Sequence, residues 1–434
     1  MLLIRDTPST TGLVPAAPVT GETLAQRYAR VRRASETLCQ PLTPDDYGLQ
    51  AMPDVSPAKW HLAHATWFFE TFLLRPFLPG YKVFDPQFEV LFNSYYNQVG
   101  AQYPRAQRCL LSRPTIDQVF EYRARIDAAM TELLTNHQLP QVSEIEMRTI
   151  LGCHHEEQHQ ELLLTDIKYN FFFNPLRPAY DDRLPLTPAN PAPSLDWMAR
   201  AESLREIGHD GSAFAFDNEG PRHRVLLPAH RLASRLVTNG EYLEFMRAGG
   251  YARAEFWLAD GWRRAQEQRW QAPLYWEQID GRWWLFTLGG RRPLNESEPV
   301  CHVSYYEADA FARWTGKRLP TEMEWEASAA EQLVQGNLRE SRWLHPVPVG
   351  AGTRLAQLYG DVWEWTASAY APYPGYRPAA GALGEYNGKF MVNQMVLRGG
   401  SCVTPAGHIR ASYRNFFYPA DRWQFSGIRL AQDL

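Results

Sequence analysis

From Asn174 to Ser203 the chain reads NPLRPAYDDRLPLTPANPAPSLDWMARAES, with prolines every few residues. Proline fixes φ and removes a backbone donor, so neither a helix nor a central strand can run through such a stretch; it reads as a stiff connector. The connector separates two textures. Before it lie long runs of helix formers; after it come short apolar pieces rich in Trp and Gly, with helical stretches such as Asn239 to Arg247 and Tyr305 to Trp314. At 434 residues the chain also exceeds the usual size of one hydrophobic core. The expectation is an α+β multidomain protein: a tail over residues 1–21 with too much Pro and Thr for a helix, a helical domain over 22–173, the connector over 174–203, and an irregular α+β domain over 204–434.

Four helices are predicted before the connector. Residues 22–40 place Leu24, Tyr28, Val31 and Leu38 close to helical spacing, with Thr20 as N-cap. A second helix starts at Ser56-Pro57, runs through KWHLAHATWFFETFLL and ends before Pro76; a third and a fourth span 115–137 and 143–172. Four helices of this kind make a bundle. The long segment 76–114, which contains NSYYNQVGAQYPR, shows little periodicity, and a loop of that length inside a compact domain is usually functional.

Formal charge is −4, which leaves no basic field for nucleic acid or an anionic membrane. Five cysteines, an odd number without a CxxC pair, argue against a secreted disulfide framework and a zinc ribbon, so a reducing, cytoplasmic setting is expected. The most apolar stretch, Leu162 to Phe173, is broken by Asp166 and Lys168 and is too short to cross a bilayer.

The strongest chemical signal is His155-Glu156-Glu157-Gln158-His159-Gln160-Glu161 in the fourth helix. The i, i+4 spacing puts both imidazoles on one face, where they can share a metal. A facing helix completes such a site in a bundle. His64 in the second helix is the natural donor, with His61 one turn earlier as the alternative. Imidazole suits iron(II) and zinc alike, so ligand type does not choose between them.

Beyond the connector stand four ordered motifs: Arg318-Leu319-Pro320-Thr321-Glu322-Met323-Glu324-Trp325-Glu326, Gly360-Asp361-Val362-Trp363-Glu364-Trp365-Thr366, Leu397-Arg398-Gly399-Gly400-Ser401 and Ser426-Gly427-Ile428-Arg429-Leu430. Together they resemble the formylglycine-generating enzyme domain, a C-type-lectin-like α+β fold. The His64 segment and the HxxxHxE segment resemble a DinB-like four-helix domain. This pairing is similar to that of the ergothioneine and ovothiol sulfoxide synthases. The formylglycine-generating enzyme itself holds copper with two cysteines, whereas RGGSCVTPAGHIRASYRNFFYPADRWQFSGIRL offers only Cys402. The ovothiol branch usually adds a methyltransferase domain, and no Gly-rich nucleotide-binding strand and helix is present here. The ergothioneine branch is therefore expected.

The resemblance implies non-haem iron(II) held by His64, His155 and His159, and an O2-dependent sulfoxide synthase. It would join cysteine or γ-glutamylcysteine to imidazole C2 of N-alpha-trimethylhistidine. Forming C–S from S–H and C–H removes two electrons and forming the sulfoxide two more, so one O2 is fully reduced and neither nicotinamide nor flavin is needed. Tyr95 and Tyr96 look like the tyrosine pair of the subgroup that uses the shorter donor. A phenol can pass a proton to oxygen as it is reduced, and adjacent side chains in an extended loop point opposite ways, so one of the two is expected to act. Gln158 could bond the substrate imidazole or its carboxylate. Asn415, Phe416, Phe417 and Trp423 offer an amide beside aromatic faces, suited to a carboxylate next to a quaternary ammonium. Arg105, or alternatively Arg108, matches the donor carboxylate. Two rival readings are a zinc-dependent thiol transferase or hydrolase using the same histidines, and a lectin-like binding protein with a structural bundle.

Overall fold

The computed structural model describes residues 21–136, 139–350 and 355–434. The expected tail, Gly21 excepted, and the Thr20 cap lie outside the described residues. The first helix, α1 (Leu24–Cys39), is capped by Thr23, which forms a capping box with Gln26. Its buried stripe is Tyr28, Val31, Arg32, Ser35 and Cys39.

Helix α2 (Ala58–Phe69) is buried at every residue but Lys59. Ser56, the expected cap, does not cap it: its N–H donates to Asp166 Oδ2 at 2.7 Å, and its hydroxyl accepts from Arg108 Nη1 at 2.8 Å. Nor does the rod stop before Pro76. It widens into a π-turn over Glu70–Leu74 and ends with a helical turn at Arg75–Phe77. There Pro76 occupies a first-turn position, where its missing N–H costs little. Glu70, in the π-turn, is buried and accepts from Tyr81 Oη (2.6 Å), Phe84 N (2.8 Å) and Tyr122 Oη (2.5 Å).

Helix α3 (Ile116–Thr135) starts at a Thr115–Gln118 capping box, and α4 (Val142–Phe173) runs for 32 residues. α4 packs along α1 and α2, and α2 packs on α3. Gly152 permits the approach of α4 to α2: a Cβ there would lie 2.5 Å from the Phe69 ring. Glu156, one turn on, ties α4 to its neighbours through Arg32 Nη1 (2.9 Å), Ser35 Oγ (2.6 Å) and Arg123 Nη2 (3.1 Å).

The second half is α+β, as the texture of the sequence predicts. Strands β1 (Trp197–Arg200), β4 (His230–Ala233) and β12 (Ala431–Asp433) form one antiparallel sheet, β1 and β12 flanking β4. The last strand thus joins the same sheet as the first, on the other side of β4. β1 lies inside the stretch 174–203, so the sheet begins before residue 204 and the connector's last residues belong to it. β2 (Ser203–Ile207) pairs with β3 (His223–Leu227), and β5 (Trp276–Ile279), β6 (Arg282–Thr287) and β7 (Gly290–Pro293) form a meander.

The central sheet has the order β10 (Asn415–Phe417), β9 (Met395–Arg398), β8 (Trp363–Ala369), β11 (Ser426–Gly427), with β11 parallel to β8. Helices α5 (Asn239–Arg247), α6 (Ala259–Glu267), α7 (Tyr305–Trp314) and α8 (Glu322–Ala329) complete the domain. The recognised motifs are its buried charge lattice. Arg398 pairs with Glu322 and Glu326 (both 2.8 Å), Arg414 with Glu322 (2.9 Å) and Arg429 with Glu364 (2.7 Å).

Candidate metal centre

Helical geometry delivers two of the site's imidazoles. His155 and His159 sit one turn apart on α4, and His64 comes across from α2. Ligand nitrogens of the three lie within 4.8 Å of one another, and the ring centroids are 4.7 to 4.9 Å apart. His64 Nδ1–H donates to the Phe92 carbonyl at 2.6 Å, which leaves Nε2 as the lone pair, 3.2 Å from His155 Nε2.

His61, the alternative ligand, instead stands behind His159. Their Nδ1 atoms are 2.9 Å apart, and His61 Nε2 faces Asp166 Oδ2 at 3.0 Å. A consistent tautomer set runs one way: His159 Nδ1–H donates to His61, His61 Nε2–H donates to Asp166, and His159 Nε2 faces the other two rings. Outer partners of this kind fix ligand orientation and raise basicity. His155 Nδ1 is buried and has no hydrogen-bond partner among the described residues.

Burial holds all three imidazoles neutral. It pushes His155 down to about 3, and it lowers His64 and His159 well below the usual range, with the neighbouring histidines adding to the effect. Three neutral, convergent nitrogens, from the buried His64 and His155 and the half-buried His159, suit one transition-metal ion.

Trp60, one turn before His64, stacks on that ring at 4.6 Å and 10°. Arg108 lies over the other part of this wall, its Cζ 3.3 Å from the Trp60 centroid. Arg108 is buried and, among the described residues, has no carboxylate ion-pair partner and no hydrogen bond at Nε. Arg105 is exposed and donates to the Asp54 carbonyl. The structure therefore turns the alternative arginine, not Arg105, inward beside Trp60.

Tyr95 and Tyr96 do not point opposite ways. Asn93 folds the loop into a turn, accepting from Tyr96 N at 3.1 Å and donating to the carbonyls of Tyr96 (3.0 Å) and Gly100 (3.2 Å). The turn stacks the two rings at 4.6 Å with their hydroxyls 3.4 Å apart. Glu385 of the second domain clamps the loop by accepting from Asn97 N (3.0 Å) and Gln98 N (2.8 Å). Tyr96 is fully buried against Trp67 and Phe72, while Tyr95 meets Tyr386 and Phe390 edge-on.

Gln158 is held at both ends from the second domain. Its Nε2 donates to Tyr413 Oη at 2.7 Å, and its Oε1 accepts from Tyr386 Oη. Tyr386 also lies 5.8 Å from the His155 ring and 6.3 Å from Tyr95, between the histidines and the tyrosine pair. Sequence reasoning missed Tyr386 and Tyr413, which sit in irregular segments with no periodic signal. Trp60 was findable, since it precedes His64 by four residues on one helix.

The four residues grouped as a substrate cage divide between two places. Phe416 stacks on Tyr370 at 4.0 Å and 10°, so one of its faces is covered; Phe417 faces Trp423 at 6.2 Å. Strand alternation in β10 sends Phe416 to one side and Asn415 and Phe417 to the other. Phe416 alone leads toward the tyrosines, through Phe390 at 6.1 Å. Among the described residues no hydrogen bond or ring contact joins Asn415, Phe416, Phe417 or Trp423 to the three histidines.

Comparison with known proteins adds an independent line. Residues 203–434 match the family described as Sulfatase-modifying factor enzyme 1-like domain, and residues 27–163 match the DinB superfamily. A protein named hercynine oxygenase from Mycolicibacterium smegmatis is 33% identical over 95% of this chain and 99% of its own length. The chain belongs to the hercynine oxygenase family. A second relative of that name, from Mycobacterium tuberculosis, is 32% identical over 95% of this chain and 99% of its own length. A formylglycine-generating enzyme of Streptomyces coelicolor is 28% identical over 57% of this chain and 95% of its own length. The hercynine oxygenase match spans both domains, so the chain is an enzyme of the oxygenase and sulfoxide synthase type. Its helical domain carries the histidine centre, and residues of the second domain form one wall beside it. No helix among the described residues is long and apolar enough to cross a membrane.

Proposed function

We propose that the enzyme is a non-haem iron(II) sulfoxide synthase of ergothioneine biosynthesis. It consumes O2 and joins a cysteine-type sulfur to imidazole C2 of trimethylhistidine. The observation that carries this reading is the triad of neutral, convergent imidazoles, with Tyr386 between it and a tyrosine pair, in a chain of this family. Relatives that align along nearly the whole chain are named for hercynine, the trimethylated histidine, and another is named for ergothioneine biosynthesis.

An iron(II) ion held by His64, His155 and His159 would supply a binding place for the thiolate and for O2, and the electrons of the two substrates balance the reduction. Four electrons leave the substrates and four enter O2, one oxygen ending in the sulfoxide and the other in water. The remaining roles fall to the chain. Tyr95, a phenol that is protonated at neutral pH, supplies a proton near the centre; burial raises its pKa, so it yields the proton only to a strongly basic, reduced oxygen. Gln158, held by Tyr386 and Tyr413, presents its amide to the imidazole substrate at the helical turn between His155 and His159. Arg108 takes the donor carboxylate in the role first assigned to Arg105, since it is turned inward, buried and without an anion. Phe416 contributes an aromatic face to the quaternary ammonium. The first-domain tyrosines favour cysteine over γ-glutamylcysteine as donor.

The test is anaerobic loading with iron(II) or zinc, then O2 uptake and mass spectrometry with trimethylhistidine and either donor. One iron per chain, O2 uptake requiring both substrates, and a sulfoxide product are expected. Turnover with zinc equal to that with iron, or O2 uptake that does not require trimethylhistidine, would overturn the reading.

A further inference from the structure

Next to the histidine centre, on the opposite side of the same helical turn, lies a second convergence of ligand atoms that the reaction does not use. His154 and Glu157 of α4 meet His408 of the loop between β9 and β10. The two Nδ1 atoms are 3.0 Å apart, and Glu157 Oε2 lies 3.2 Å from His154 Nδ1 and 3.5 Å from His408 Nδ1. All three residues are buried, at 1 to 3% exposure. An ion with metal–ligand bonds of about 2.0 to 2.1 Å in tetrahedral array separates its ligands by about 3.3 Å. The three separations here bracket that value. They also match the 3.2 Å between His64 Nε2 and His155 Nε2 in the first centre.

Charge and hydrogen bonding point the same way. Glu157 has no Arg or Lys ion-pair partner among the described residues; its ion-pair contacts are the two imidazoles. Its Oε2 is buried and, despite both rings, lacks a hydrogen bond of acceptable geometry. The carboxylate oxygen stands between two imidazole nitrogens which, once free of a proton at Nδ1, offer lone pairs to one divalent ion. On the far side His408 Nε2 lies 2.9 Å from Tyr413 Oη, so a His408 bound through Nδ1 would donate Nε2–H to that phenol, the outer contact expected of a metal-bound histidine.

We propose that His154, Glu157 and His408 form a second divalent-cation site that bridges the two domains, of the class that takes zinc through two imidazoles and one carboxylate. The site is structural: it ties the ligand-bearing turn of α4 to the second domain and, through His408 and Tyr413, steadies Gln158. Arg27 opposes it. Arg27 Nη2 lies 2.8 Å from His154 Nε2 and donates to it, which places the proton on Nδ1. Ligation through Nδ1 therefore requires Arg27, half-buried at the edge of the cluster, to release the ring. The cation competes with this arginine for His154.

The experiment counts zinc in the full-length protein. Chelator-stripped protein is equilibrated with Zn2+ alone, the free ion is removed, and bound zinc is measured per chain. Two equivalents are expected for wild type, one for His408→Ala, one for the near-isosteric Glu157→Gln, and one for His155→Ala, which breaks only the first centre. In His155→Ala, zinc should still raise the melting temperature, and adding His408→Ala should abolish that shift. Arg27→Met should tighten the second equivalent several-fold. One equivalent in wild type that His155→Ala abolishes, or two equivalents retained in both His408→Ala and Glu157→Gln, would overturn the proposal and leave the cluster a hydrogen-bond network. Loss of the first equivalent in His155→Ala is read separately, so failure of the first centre is distinguishable from failure of the second.

Discussion

At the scale of single residues, the two histidines of α2 have separate parts. His64 presents Nε2 to the centre, while His61 orients His159 and passes the contact on to Asp166. His64→Ala should lose metal and activity together. His61→Ala keeps the three proposed ligands and removes an outer partner, so metal affinity should fall by about 10- to 100-fold, measured as metal loss to a competing chelator. Equal loss in the two variants would make His61 a ligand.

The tyrosines carry the next prediction. With their hydroxyls 3.4 Å apart, Tyr95 is the one that meets second-domain residues, whereas Tyr96 is sealed against Trp67 and Phe72. Tyr95→Phe should still consume O2 but yield more sulfinic acid and less sulfoxide. A tenfold shift in that ratio corresponds to about 1.4 kcal/mol between the two barriers. Mass spectrometry of the products, with Tyr96→Phe as control, reads it; an unchanged ratio in Tyr95→Phe would remove Tyr95 from the proton's path. The HxxxH pair was legible because helix periodicity is local. The choice between Arg105 and Arg108 was not, because it depends on how a single 3-10 turn over Arg105–Leu110 lies on α2.

Among the elements, α4 is the one on which the centre depends, and Glu156 fixes its rotation. The carboxylate lies between Arg32, Arg123 and Ser35; burial alone would raise its pKa, but the two guanidinium groups win and hold it down at about 2. Removing the charge while keeping the shape takes one anion from each of two buried arginines, although Arg32 retains Asp127 at 2.7 Å and Arg123 retains Glu36 at 3.3 Å. Glu156→Gln should cost about 3 to 5 kcal/mol, read as a lower urea midpoint with an unchanged slope. A cost under 1 kcal/mol would mean that other contacts set the rotation of α4. The sequence showed that four helices exist and roughly where they end. It did not show the π-turn, since Glu70–Leu74 reads as ordinary helix and widens where Glu70 accepts bonds from Tyr81, Phe84 and Tyr122.

On the scale of the whole molecule, the two domains meet through buried polar contacts. Glu161 accepts from Trp363 Nε1 (2.5 Å), Ser401 Oγ (3.0 Å) and Thr404 Oγ1 (2.8 Å). Lys168 Nζ, buried between the rings of Tyr275 and Phe425, faces His302 Nε2 at 2.7 Å. Burial pushes Lys168 down to about 8, whereas in the unfolded chain it would titrate near 10.4. Below pH 8 the folded state bears the full penalty of the buried charge. Between pH 8 and 10.4 the unfolded state binds more protons than the folded one, so stability rises with pH. Wild type should gain about 2 kcal/mol relative to Lys168→Met between pH 7 and 9.5, measured by urea unfolding at both values. A constant difference would show that Lys168 titrates near its unfolded value.

The sequence by itself determined the four helices, the α+β character of the second half, and the placing of His155 and His159 on one face. Each of these follows from backbone chemistry or periodicity within a few neighbouring residues. The family motifs carry Arg398 and Arg429 and their glutamates, which form a buried charge lattice. Only the tertiary structure decided what surrounds the histidines. Tyr386 and Tyr413 reach Gln158 across 228 and 255 residues of chain, and His408 reaches His154 across 254. No local pattern encodes such meetings, because they depend on how the two halves pack on each other within one continuous core, and that packing is set by the summed fit of the interface.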